Sequence, residues 1–258
     1  MNQFAYDASP YQIPDYKSDA HRAAWSYLAG PGSWWTGTQR LAIAQASRDS
    51  MDCPFCAERK QALSPLAIEG NHNGDPSLTA SSLSVSSLPI KVLNAVHRIT
   101  TDPARLTESW IQGLIDETFH HGHYVETVSI ISTLISIDAF HRALGLALEP
   151  LPAAQPGQPD RYWPEGAAVD VAWVPMIYPA NLSDKESDIY FGAPQMGHVI
   201  RAMSLVPDAV RQLNALSAAH YLPTPQVGDM NATGYLTLSR PQTELIAART
   251  SVLNDCFY

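Results

Sequence analysis

The chain has 258 residues, 45% of them hydrophobic, and a net charge of −9, which is enough apolar material for one large domain or two modest ones. The acidic balance and the lack of any Lys/Arg-rich run argue against a nucleic-acid partner, because phosphate binding needs clustered cations. The first 16 residues have neither a basic n-region nor an apolar h-region, and no stretch approaches roughly 18 apolar residues, so no secretory signal and no membrane span are expected.

In chain order, helices are expected over 18–29 and over 38–63, the second carrying Cys53 and Cys56. Residues 64–88 are rich in Ser, Asn, Gly and Pro and read as a long loop. Helices follow over 90–98 and 104–121. His120, His121 and His123 fall at the end of the latter beside Gly122, where imidazoles complement a helix C-terminus more readily than they form a metal cluster. A long helix over 124–148 has apolar residues at Val125, Val128, Ile131, Leu134, Ile135, Phe140 and Leu144, close to helical spacing. Residues 151–193 hold a dense run of Pro and Gly and read as an ordered crossover arm. Helices are expected again over 195–205, 208–220 and from Arg240 onward. Alternating strand patterns of useful length are scarce. The expected fold class is all-α, with an N-terminal unit over 1–150, the crossover over 151–193 and a C-terminal half-unit over 194–258.

Three cysteines, two of them in Cys53-x-x-Cys56, are too few for a disulfide scaffold and point to redox or metal chemistry in a cytoplasmic protein. The sequons at Asn181 and Asn231 are read as chance matches on that ground. A nucleophilic thiol needs a lowered pKa. Asn254-Asp255-Cys256 and Met51-Asp52-Cys53-Pro54 both look like helix starts, which favour a negative sulfur through free backbone N–H groups and the macrodipole. The thiol also needs a base. In one straight helix Glu244 would lie about 18 Å from Cys256, so a carboxylate could act only through an imidazole on a segment that folds back.

Glu244 and Cys256, twelve residues apart, resemble the Glu-x11-Cys-x-x-Cys-x3-His motif of the alkylhydroperoxidase D and carboxymuconolactone decarboxylase superfamily. Residues 89–146, with Val96-His97-Arg98, Tyr124-Val125-Glu126 and Phe140-His141-Arg142, resemble the helices that usually follow this motif, and 202–221 the segment before it. The resemblance implies a helical bundle of two related units packed together. It further implies a thiol-dependent peroxidase acting on alkyl hydroperoxides or hydrogen peroxide, with a thiol electron donor, a homo-oligomeric assembly and neither cofactor nor metal. The candidate catalytic residues are then Cys256, Glu244, Cys53 and Cys56, with Glu126, His97 and His141 as secondary candidates. The N-terminal copy departs from the motif, with Leu41 at the Glu position (or Arg40 with a one-residue slip) and Lys60 at the His position. The C-terminal copy stops at Tyr258, where a second sulfur would follow. A selenocysteine codon read as a stop would give that ending, and activity of the C-terminal site is expected to be impaired without it.

Other readings stay open. Cys53 and Cys56 could hold zinc if His72 and His97 joined them, although no paired spacing announces this. The fold could instead carry a cofactor-free lyase or hydrolase, or a non-enzymatic oligomerisation or binding module. Glu244 reads otherwise as a solvated helix residue. His97 and His141 read as satisfied core or surface histidines, and Trp34-Trp35 as core.

Overall fold

The computed structural model of the protein describes residues 3–72, 88–234, 236–254 and 256. It is mostly helical: α1 (Asp15–Ala29), α2 (Gly37–Ser50), α3 (Pro54–Gln61), α4 (Ile90–Thr101), α5 (Glu108–Leu114), α6 (His121–Ala143), α7 (His198–Arg201), α8 (Pro207–His220) and α9 (Arg240–Leu253). The one sheet among the described residues pairs β1 (Ala167–Ala168) antiparallel with β2 (Met176–Ile177). No described helix is long and apolar enough to cross a membrane.

The expected helix over 38–63 is broken in two. Proline cannot donate to the preceding turn and forces the residue before it out of the helical region. Cys53, immediately before Pro54, is accordingly extended (φ −76°, ψ 115°) and serves as the N-cap of α3. That places the cap one residue later than Asp52. α2 begins with a capping box in which Thr36 and Gln39 satisfy each other's backbone N–H groups.

α6 is the central element and packs against α1, α2, α4 and α8, while α2 also packs against α4 and α1 against α8. Its inward residues Val125, Ile130, Ile131, Leu134 and Ile137 are buried with Leu41 and Ile43 of α2 and Val92, Val96 and Ile99 of α4. The three histidines lie at the start of α6 and not at the end of a preceding helix. Helical structure before them is confined to α5 and a turn at Pro103–Arg105, because Asp116 accepts from the backbone of Thr118 and Phe119 and closes a turn there. His120 is the N-cap of α6, and its own N–H donates to Nδ1 of His123 at 3.1 Å. The expected 195–205 helix shortens to the single turn of α7.

The proline-rich crossover lies against the α1–α2 junction. Gln155 N–H donates to the Ala29 carbonyl, Arg161 N–H to the Ser33 carbonyl, and Trp25 Nε1 to the Pro150 carbonyl. Gly32 in this junction has no room for a side chain: a Cβ there would sit 2.0 Å from Oε1 of Glu126.

At the α1–α8 contact, Nε2 of His21 and Nε2 of His220 lie 2.6 Å apart, and Tyr6, Lys17 and His141 also face His21. Only one proton fits between the two rings. Burial and the facing cations lower His21 to about 3 and His220 to about 4. Between those values and about 6.5 the unfolded chain binds protons that the folded one refuses, so stability is full above that window and is lost as pH falls through it. His220→Gln should therefore flatten acid destabilisation between pH 6.5 and 4 by up to about 3 kcal/mol. Denaturant midpoints measured at half-unit pH steps, with parallel slopes for variant and wild type, would refute this.

Candidate metal centre

Cys53 caps α3 and Cys56 follows one turn later, both buried. That spacing points the two sulfurs the same way from the helix start. α4 packs against α3 and brings in His97 from its inward face, between Val96 and Arg98. His72 arrives from the segment after α3 and is also buried. Its ring meets Phe55 edge-on at 5.0 Å and lies 4.1 Å from the ring of His97.

The four donor atoms converge. Nδ1 of His97 is 3.3 Å from Sγ of Cys56, and Nδ1 of His72 is 3.5 Å from Sγ of Cys56 and 3.7 Å from Sγ of Cys53. All four ligand atoms lie within 4.8 Å of one another. A tetrahedral zinc with its usual Zn–N and Zn–S bonds gives ligand–ligand edges of roughly 3.3–3.8 Å. The three measured edges fall in that range.

Burial sets the protonation states. It lowers His72 to about 4 and His97 to about 3, with Arg59 adding to both, so each imidazole is neutral at pH 7 and has a lone pair to offer. Burial, helped by Cys53, pushes the Cys56 thiol up to about 11. At Cys56, the second thiol of the pair, desolvation outweighs the neighbouring Arg59 charge. Arg59, buried against the Phe55 ring, brings Nη2 to 3.9 Å from Sγ of Cys56. Cys56 also forms part of the wall of a cavity of about 370 Å³ between α2, α3, α4 and α6.

Comparison with protein-family models, with curated proteins and with solved structures finds no match to this chain. The function is therefore argued from the site itself.

The remaining sequence-predicted residues have other surroundings. Glu126 is buried in α6; its Oε2 accepts from the Trp34 N–H at 2.7 Å, and Oε1 makes an ion-pair contact with Nε of Arg40 at 3.3 Å. That contact is not an aligned hydrogen bond, so both atoms lack a hydrogen-bond partner among the described residues. Desolvation outweighs the Arg40 charge and raises Glu126 to about 7. Nδ1 of His141 lies 2.7 Å from the Ala147 carbonyl, where it closes the C-terminal end of α6 beside Gly145 (φ +68°).

Glu244 stands in the second turn of α9, where its Oε1 accepts from Tyr221 and, at 2.5 Å, from Nε of Arg240. These two donors hold its carboxyl below the usual range. Cys256 is exposed beyond the end of α9, its N–H donating to the Ser251 carbonyl. The helical residues 245–253 separate the two groups, and no described imidazole bridges them. Asp255, Phe257 and Tyr258 lie outside the described residues.

His72 and His97 are the residues that sequence reasoning undervalued. Both were visible as candidates, but neither lies at a spacing that marks zinc ligands. The available signal was weak: a buried-type Cys-x-x-Cys with a His in each of the next two segments.

Proposed function

We propose that this chain is a zinc-binding helical protein, with Cys53, Cys56, His72 and His97 forming a closed four-ligand centre. One observation carries the reading: three separate segments deliver two sulfurs and two neutral imidazole nitrogens, all buried, to within 4.8 Å of one another. Bringing four such groups together without a metal would desolvate them for little return. A dication converts the cost into a gain, since it deprotonates the thiols and uses both lone pairs. Two thiolates and two neutral imidazoles, with three N–S edges of tetrahedral length, select zinc over oxygen-loving cations. With all four positions filled by protein, the centre is structural. It pins the His72 segment and the start of α3 onto α4.

Metal analysis of protein purified without added metal tests this directly. One zinc per chain is expected, falling below a tenth of that in Cys56→Ser and His97→Ala, with Cys256→Ser unchanged. Protein that stays free of transition metal after zinc titration would sink the reading.

A thiol-dependent peroxidase is the second reading. Its support is that Cys56 borders a solvent-connected cavity, together with the resemblance of Glu244 and Cys256 to the alkylhydroperoxidase D motif. It expects peroxide consumption with a dithiol reductant, abolished by Cys56→Ser. A thiol held near 11 is a weak nucleophile at neutral pH, which is why the metal reading stands first.

A further inference from the structure

The cavity beside the metal centre is rich in donors and poor in acceptors. Lys60 of α3 and Arg142 of α6 line it, both exposed, and neither forms an ion pair among the described residues. Arg48 of α2 gives Nε and Nη2 to the two oxygens of Asp138, at 2.9 and 2.7 Å, and Nη2 also to the Glu149 carbonyl. Its Nη1 has no acceptor among the described residues. Asp138, the one carboxylate in the lining, is neutralised by that bidentate pairing. Oγ of Ser47 and Oγ1 of Thr100 lie 2.9 Å apart. Their mutual bond uses one hydroxyl proton and leaves the other free to donate.

Met51, Leu134 and Ile135 supply apolar lining, and the polar side chains of Ser50, Thr101 and Asn254 each already donate to a backbone carbonyl. At about 370 Å³ the space is of small-molecule size. A ligand that satisfies such a cavity must bring acceptors and charge at one end and hydrocarbon at the other.

We propose that this cavity binds a small organic anion, a carboxylate or phosphate monoester with a short apolar body. The head group sits between Lys60 and Arg142, and the body packs against Leu134 and Ile135. Neither cation is a metal ligand, so the proposal stands apart from the zinc reading.

Calorimetric titration of the purified full chain with hexanoate and with phenyl phosphate distinguishes the two head groups, with hexanol as the uncharged control. Saturable binding of at least one anion is expected, weakened about tenfold or more in Lys60→Ala/Arg142→Ala. Both positions are exposed, so the double variant should keep the wild-type circular dichroism and melting temperature. The proposal is overturned if neither anion binds, if hexanol binds as well as hexanoate, or if the double variant binds the anions with undiminished affinity.

Discussion

Stripping the metal should lower the melting temperature of the wild-type chain by on the order of 10 °C. A ligand that binds only the folded state at about a thousand times its dissociation constant adds about 4 kcal/mol. In a domain of this size each kcal/mol is worth roughly 2–4 °C. The effect stops short of complete unfolding because the α2–α4–α6 core, with Leu41, Ile43, Val96, Ile130 and Leu134 buried, does not depend on the centre. It should be local first, loosening the start of α3 and the His72 segment, which the centre ties to α4. Differential scanning calorimetry with and without a strong chelator measures the shift, and hydrogen exchange locates it. Cys56→Ser should reproduce the chelated melting temperature and become insensitive to chelator. A wild-type melting temperature unmoved by chelation, in protein shown to have lost its zinc, would refute the structural role.

Arg40→Met should destabilise the fold by about 3–5 kcal/mol, the usual consequence of leaving one member of a buried ion pair alone. Arg40 and Glu126 are both almost fully buried, and Arg40 also stacks on Tyr27 at 4.0 Å and donates to the Gly30 carbonyl. The pair joins α2 to α6 at the base of the crossover. Replacing both partners by apolar residues should cost much less than replacing Arg40 alone, because no charge is then stranded. Chemical denaturation of both single variants and the double closes the cycle.

The same pair has a pH signature opposite in sign to that of the buried histidines. Glu126 titrates near 7 in the folded protein and near 4.5 unfolded. Between those values the folded state holds the extra proton. This contribution is therefore full below about 4.5, is lost as pH rises to 7, and is flat above. The stability of wild type relative to Glu126→Gln should fall across that window by up to about 3 kcal/mol. A difference that stays constant with pH would show that Glu126 titrates normally.

Much of the scaffold was legible from local pattern. The apolar spacing from Val125 to Phe140 marks α6, and the Pro-Gly run marks the crossover, because both signals depend on nearest neighbours along the chain. The break between α2 and α3 was half visible: Pro54 announces a helix start, but the apolar pattern runs straight through it. For the histidines at 120–123 local pattern does not choose the helix end, since a Gly with flanking His suits either terminus and only the Asp116 turn decides for the start of α6.

Cys53-x-x-Cys56 set the chemical theme in the sequence alone, apolar spacing set the helical class, and composition argued against a nucleic-acid partner. The tertiary structure decided what the cysteines face. His72 and His97 stand sixteen residues beyond Cys56 and twenty-five beyond His72, distances that no local spacing rule covers. His97 meets the sulfurs because α4 packs on α3, and His72 because the segment after α3 returns to them. Burial then sets the state of the second thiol, because loss of water around Cys56 raises it more than the nearby Arg59 lowers it. The same packing leaves Glu244 bonded to Arg240 and Tyr221 and Cys256 in solvent, so the pair that looked most like a motif is not the one the fold brings together.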